Sequence, residues 1–191
     1  MMATTLARLT VCDGTKRDGN GWAVGFPFGR MTLNYGCAMS ETEPGAEPLP
    51  ILLLNGPNLN TLGVRQPEVY GAATLDDVVA LAERTAAELG FGLRAAQTNH
   101  EGQMIDWLHE ARGQISGIVI NPAAWTHTSV ALADALVIPD VPIMEVHISN
   151  VHKREAFRHH SYVSPLASGV IAGFGIRGYE FAIRQLADVI G

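Results

Sequence analysis

From Leu49 onward the apolar residues fall into two patterns: short unbroken runs, and stripes that return every three or four positions. Ile51-Leu52-Leu53-Leu54 is a run closed by Asn55-Gly56-Pro57, the signature of a strand buried on both faces and ended by a turn. Thr74 is placed to cap a helix whose residues Leu75, Val78, Val79, Ala82, Ala86 and Leu89 keep one face, and Gly90 is placed to stop it. Phe91 to Gln97 reads as a second strand, and Met104, Ile105, Leu108 and Ala111 mark a second helix. Gly117-Ile118-Val119-Ile120 is a third strand, and Ser129 to Leu136 belongs to a third helix that ends before Pro139. Ile143 to His147 and Val170 to Ala172 supply two more strands, and Tyr179, Ala182, Ile183, Leu186 and Ile190 stripe a last helix. Strands alternating with helices need right-handed crossovers and a parallel sheet covered on both faces. The predicted architecture is α/β: a flavodoxin-like three-layer sandwich around a five-stranded parallel sheet over residues 50–191.

Residues 1–49 carry no such periodicity. Glycines interrupt the stretch to Ala38, and Ser40-Glu41-Thr42-Glu43-Pro44-Gly45-Ala46-Glu47-Pro48 has the acidic, proline-containing composition of a linker. This region is expected to be a disordered extension, or to reflect a start assigned upstream of Met39.

Composition narrows the function. The chain of 191 residues has a formal charge of -6, with Lys+Arg 13 against Asp+Glu 19, which disfavours nucleic acid and anionic membrane as partners. Its apolar runs are far shorter than the roughly 20 residues of a spanning helix. Both cysteines, Cys12 and Cys37, precede the ordered region, so the domain is expected to fold without disulfides or thiolate metal sites, in a reducing cytoplasm.

In an open parallel sheet, ligands bind beyond the carboxyl ends of the strands. Polar residues gather at those ends here: Asn55 and Asn58 after the first strand, Asn121 after the third, His147, Ser149 and Asn150 after the fourth. A helix start is expected at Thr126-His127-Thr128-Ser129. So many convergent hydrogen-bonding groups suit a polyhydroxylated ligand, although each alone also serves as an ordinary cap or turn residue. Glu145 and His147 are two apart on one strand and share a face. A carboxylate beside an imidazole favours its protonated form and fixes its orientation, which suits a general acid; the competing reading is a structural pair in the core. Lys153, Arg154 and Arg158 make a local cationic patch, of which Arg158 is the best candidate for holding a carboxylate.

The segment from Leu62 to Gly71, with glycines near both ends and Pro67 inside, reads as a lid over the sheet edge. If it folds back, Arg65 reaches Tyr70, and a guanidinium beside a phenol brings its pKa of roughly 10 toward neutrality. Tyr70 then becomes a usable base; the competing reading is a lid tyrosine that simply packs.

These motifs, in this order, resemble type II 3-dehydroquinate dehydratase over residues 50–191. The resemblance rests on Asn55-Gly56-Pro57-Asn58-Leu59-Asn60, Arg65 with Pro67, Tyr70-Gly71, Gln97-Thr98-Asn99-His100-Glu101-Gly102, Asn121-Pro122-Ala123-Ala124, Thr126-His127-Thr128-Ser129, Glu145-Val146-His147-Ile148-Ser149-Asn150, and Arg158 with His160-Ser161. It implies an anti elimination of water from 3-dehydroquinate, without cofactor or metal, in the shikimate pathway. Tyr70, assisted by Arg65, would remove the proton beside the ketone. Asn58 and a held water would stabilise the enolate, and His147, oriented by Glu145, would protonate the departing hydroxyl. Asn121, His127, Ile148, Ser149 and Arg158 would hold the substrate. Asp134 would reach a neighbouring subunit's site in a homododecamer built from trimers. Gln66 and Ala133 depart from residues common in the family.

The type I route through a lysine Schiff base is excluded, because Lys16 lies in the irregular region and Lys153 in a loop. The seven histidines show no metal-binding spacing. A flavin or nucleotide module is the rival reading, disfavoured because Asn55-Gly56-Pro57-Asn58 has one glycine and Pro57 lacks a backbone donor. An inactive scaffold is the third.

Overall fold

The computed structural model describes residues 48–64 and 73–191. The lid residues Arg65 and Tyr70, and the extension up to residue 47, lie outside the described residues.

Five parallel strands stand in the order β2-β1-β3-β4-β5, with β1 Ile51–Asn55, β2 Leu93–Gln97, β3 Gly117–Asn121, β4 Ile143–His147 and β5 Gly169–Ala172. The three inner strands are buried at every residue, which is why they read as unbroken apolar runs rather than alternations. The edge strands β2 and β5 are only partly covered.

Among the described residues four α-helices complete the layers: α1 Leu75–Glu88, α2 Glu101–Ala111, α3 Val130–Leu136 and α4 Arg177–Ile190. Ile51, Leu53, Val119, Met144 and Val146 face Val78 and Ala82 of α1 and Ala182, Ile183 and Leu186 of α4. Leu52, Leu54, Ile118, Ile120 and Ile143 face Met104 and Leu108 of α2 and Leu132 and Leu136 of α3. Alternate residues of each inner strand thus feed two separate cores, the consequence of a two-residue side-chain period. The flavodoxin-like reading is correct.

Local signals fix the helix ends. Thr74 and Asp77 form a reciprocal capping box at the start of α1, and Gly90, at a φ of +81°, turns the chain after its end. One boundary differs from expectation. Residues Ala123–His127 form a 3-10 turn, and α3 starts only at Val130, capped by the Ser129 side chain accepting from the Leu132 amide. His127 is therefore placed by a tight turn, not by the first turn of an α-helix. That turn brings it toward β4.

Candidate active site

The chain leaves β1 toward α1 on one face of the sheet and leaves β3 toward α3 on the other. The adjacent ends of β1 and β3 are thus the point where the topology switches, and a crevice must open there. The two loops touch: the Gly56 amide donates to the Asn121 carbonyl at 2.8 Å, and a Cβ on Gly56 would lie 2.6 Å from the Pro122 carbonyl oxygen. Only glycine allows that approach.

A cavity of about 140 Å³ sits above this junction. An engineered cavity of about 150 Å³ accepts benzene, so the space suits one six-membered ring. The loop after β1 lines it with Asn58, Leu59 and Leu62, and the segment after β3 with Asn121, Ala123, Ala124 and His127. The segment after β4 contributes Ile148, Ser149, Val151, Arg154 and Arg158, next to His147 itself. Asn58, Asn121, His127, His147, Ile148, Ser149 and Arg158 are brought together as the sequence suggests. Glu145 stands behind His147. Asp134 is exposed on α3 and does not line the cavity.

Glu145 is fully buried, and its carboxylate is saturated with donors. His147 Nε2 donates to Oε1 at 2.8 Å, the Thr126 hydroxyl donates to the same oxygen, and the Ser164 hydroxyl donates to Oε2. Ser161 Oγ lies 3.4 Å from Oε1 and 2.7 Å from the Thr126 hydroxyl. Burial alone would push the Glu145 pKa up. The hydrogen bonds from His147, Ser164 and Thr126 and the charge of His147 outweigh it and hold the carboxyl below its ordinary 4.5. An ionised Glu145 can only accept, so Nε2 carries a hydrogen and Nδ1 is the imidazole nitrogen left to exchange a proton with a bound molecule.

The rings of His127 and His147 are nearly parallel, 11° apart in plane with centroids separated by 6.5 Å. His127 Nδ1 donates to the His160 carbonyl at 2.7 Å, which leaves Nε2 as an acceptor in the neutral ring. Burial and the charges of His147 and Arg158 lower its pKa against the opposing pull of His160 and Glu145, which favours that neutral form. An imidazole nitrogen that accepts is suited to a hydroxylated ligand.

Asn121 is buried and held at both ends of its amide: Nδ2 donates to Tyr179 Oη at 2.8 Å, and Oδ1 accepts from the Ala123 amide at 3.2 Å. The second hydrogen on Nδ2 is the one left for a ligand. Arg158 Nε donates to Glu155 Oε2 at 2.8 Å and Arg154 Nε lies 3.5 Å from the same oxygen, so one carboxylate gathers two cations at the cavity rim. The sequence puts Arg154 in the cationic patch but favours Arg158 within it; both line the cavity, while Lys153 does not. Sequence reasoning missed Thr126 and Ser164 as partners of Glu145, and Tyr179 as the anchor of Asn121. The only signal for Tyr179 was a phenol in an otherwise apolar helix stripe, whose hydroxyl must find a partner when buried.

Comparison with known proteins gives the family. The family model for Dehydroquinase class II matches residues 49–187. The chain belongs to the class II dehydroquinase family. It is 59% identical over 138 residues to "3-dehydroquinate dehydratase 2" of Pseudomonas aeruginosa, covering 72% of this chain and 93% of that one. It is 62% identical over 139 residues to the 3-dehydroquinate dehydratase of Cereibacter sphaeroides strain ATCC 17029, covering 73% and 95%. The solved type II dehydroquinase from Propionibacterium acnes superposes with a TM-score of 0.70 at 49% identity, covering 73% of this chain and 97% of that one. The family match spans the sandwich described above, and a dehydroquinase of this class is a lyase with a flavodoxin-like fold.

Proposed function

We propose that this chain removes water from 3-dehydroquinate by an anti elimination, with the acid half of the reaction carried by His147. The chain is a hydro-lyase of the shikimate pathway, a reading supported by the family match and by the names of its relatives. The observation that carries the acid assignment is the pairing of His147 Nε2 with the fully buried Glu145, which leaves Nδ1 as the other nitrogen of a side chain at a cavity of ring size.

Two proton transfers complete the reaction. Tyr70, as a phenolate favoured by Arg65, takes the proton from the carbon beside the ketone, and the electron pair moves onto the carbonyl oxygen as an enolate. Asn58 stabilises that charge. His147 then gives the Nδ1 proton to the departing hydroxyl, the carbon–oxygen bond breaks, and the enolate pair becomes the new double bond of 3-dehydroshikimate. Water leaves, and the proton now on Tyr70 passes through solvent to His147 Nδ1, which restores the phenolate and the imidazolium. Asn121, His127 and the Ile148-Ser149 segment bind hydroxyls, while Arg158 takes the carboxylate.

No cofactor enters this scheme. Asp134, exposed on α3, is the residue that a neighbouring copy would use, in a homododecamer of trimers working in the cytoplasm. No helix among the described residues is long and apolar enough to cross a membrane.

The test is the rise in ultraviolet absorbance as the conjugated enone forms from purified protein and 3-dehydroquinate with no additions. Tyr70→Phe is expected to abolish nearly all of it; equal rates in variant and wild type would overturn the base assignment. Borohydride with substrate is expected to leave activity intact, because no imine forms.

A further inference from the structure

Asn58 stands in a conformation that its own turn does not explain. Its φ of 69° is left-handed, a region that asparagine tolerates better than most residues but still at a cost. It caps the 3-10 turn Leu59–Thr61, yet its side chain makes no capping hydrogen bond. An asparagine at such a position ordinarily folds its side chain back onto the amides of the turn it starts. Here the side chain is withheld from that task, and Asn58 is one of the residues that line the cavity.

The restraint comes from another strand. Asn99, just beyond β2, accepts the Asn58 backbone N–H on Oδ1 at 2.8 Å. The same oxygen accepts from Gln97 Nε2 at 3.1 Å, and Gln97 Nε2 also approaches the Gly56 carbonyl at 3.2 Å. Gln97 is the register partner of Asn55, so this bracket ties the end of an edge strand to the loop after β1. From the other side, the Thr61 hydroxyl donates to the Asn58 carbonyl at 2.7 Å. Both peptide groups flanking the Asn58 Cα are thereby pinned, and its side chain is left as the part that is free to address a ligand.

We infer that Asn99 is a positioning residue for the elimination: by accepting the Asn58 amide it holds Asn58 left-handed and keeps its side chain in the cavity. Without that acceptor the Asn58 backbone returns to an extended conformation and its side chain turns to cap residues Leu59–Thr61. The effect on rate rests on the reading of Asn58 as the enolate's partner. An interaction with the enolate is made in the transition state and not in the bound substrate, so its loss lowers kcat while leaving KM nearly unchanged.

Among the described residues, both hydrogen bonds of Asn99 use its carbonyl oxygen as an acceptor. A carboxylate can replace that oxygen; an alanine cannot. Four variants therefore separate the possibilities: Asn99→Ala, Asn99→Asp, Asn58→Ala and the double variant, each followed by the enone assay and by hydrogen exchange at the Asn58 amide. Loss of one hydrogen bond of ordinary strength corresponds to about a tenfold fall in kcat for Asn99→Ala. Asn99→Asp is expected to recover most of it, and the double variant to be no slower than Asn58→Ala alone. Exchange at the Asn58 amide is expected to accelerate in Asn99→Ala and to stay slow in Asn99→Asp. Unchanged exchange in Asn99→Ala, or rate losses that multiply in the double variant, would overturn the positioning role. Full kcat in Asn58→Ala would instead sink the enolate reading, and the exchange measurement would still decide whether Asn99 sets the turn.

Discussion

Tyr179, in the first turn of α4, donates its phenol hydrogen to Asn55 Oδ1 at 2.8 Å while accepting one from Asn121 Nδ2 at the same distance. One hydroxyl from a helix thus bridges the ends of β1 and β3, the two strands whose divergence opens the cavity. All three residues are buried, and Asn55 Nδ2 has no hydrogen-bond partner among the described residues. Burial raises the Tyr179 pKa well above its ordinary 10.0 despite the opposing Asn121 hydrogen bond, so the phenol stays neutral and donates throughout the working range. Tyr179→Phe leaves two buried amides short of a partner, and each such group costs about 1–3 kcal/mol. Denaturant titration is expected to show a loss of that order. Because a neutral phenol contributes no titration, the shape of the pH–rate profile is expected not to change; a shifted limb would assign Tyr179 a role in proton transfer that the geometry denies it.

Acid is expected to weaken the fold in two stages, and the sign follows from the direction of each shift. His127 is held below its ordinary 6.5, mainly by burial, and Glu145 below its ordinary 4.5 because its donors outweigh burial. A group whose pKa is lower in the folded state binds fewer protons there than when unfolded, so its stabilising share is complete above the unfolded value and is lost as pH falls through the folded one. The His127 share starts to disappear below about 6.5 and the Glu145 share below about 4.5. Urea titrations at successive pH values are expected to show both stages in the wild type. His127→Asn is expected to flatten the upper stage and leave the lower one. Retention of the full upper stage in that variant would assign it to another group.

Glu145 depends on its hydroxyl donors as much as on His147. Thr126→Val keeps the shape of the side chain and removes one donor, shifting the balance back toward the burial that raises the carboxyl pKa. The acid limb of the kcat/KM profile is expected to move upward in pH, with the plateau reduced by roughly tenfold at most. Glu145→Gln is expected to be far more severe. It deprives the His147 imidazolium of its counter-charge, and general-acid assistance is worth about 10²–10⁴ in rate. Equal rates in Glu145→Gln and wild type would remove the acid role from the pair.

The two cores were legible because burial on both sides of the inner strands leaves runs such as Ile51 to Leu54 with no polar residue, and one-sided burial leaves the stripe on α4. Glu145 and His147 were legible because strand geometry alone puts residues two apart on one face. What surrounds them was not. Thr126 and Ser164 meet Glu145 from segments 19 positions away on either side, and Tyr179 meets Asn121 across 58 positions. Such partnerships follow from how helices and turns close over the sheet, and no local period encodes them. The 3-10 turn that carries His127 was hidden for another reason. Its Ala123 has a positive φ of 51°, a conformation that alanine rarely takes and that side-chain type does not announce.

Gly56 gives the sharpest test of how closely the fold and the cavity are joined. Its amide donates to the Asn121 carbonyl, which keeps the β1 loop against the β3 loop beyond the last ladder pair. A methyl group there would lie 2.6 Å from the Pro122 oxygen and 2.8 Å from its carbonyl carbon, both backbone atoms that cannot rotate aside. Gly56→Ala must therefore separate the two loops, at a cost of about 1–3 kcal/mol for a forced backbone shift. The separation moves Asn58 on one side of the cavity relative to Asn121 on the other. A misplacement of about 1 Å can cost on the order of 10²-fold in rate, so activity is expected to fall by more than the loss of folded protein explains. Gly92→Ala is the control, since among the described residues a Cβ there meets only Pro50, at an ordinary 3.5 Å, and both stability and rate are expected to stay near wild type. If Gly56→Ala retains wild-type kcat and KM, the contact between the loops does not set the geometry of the cavity.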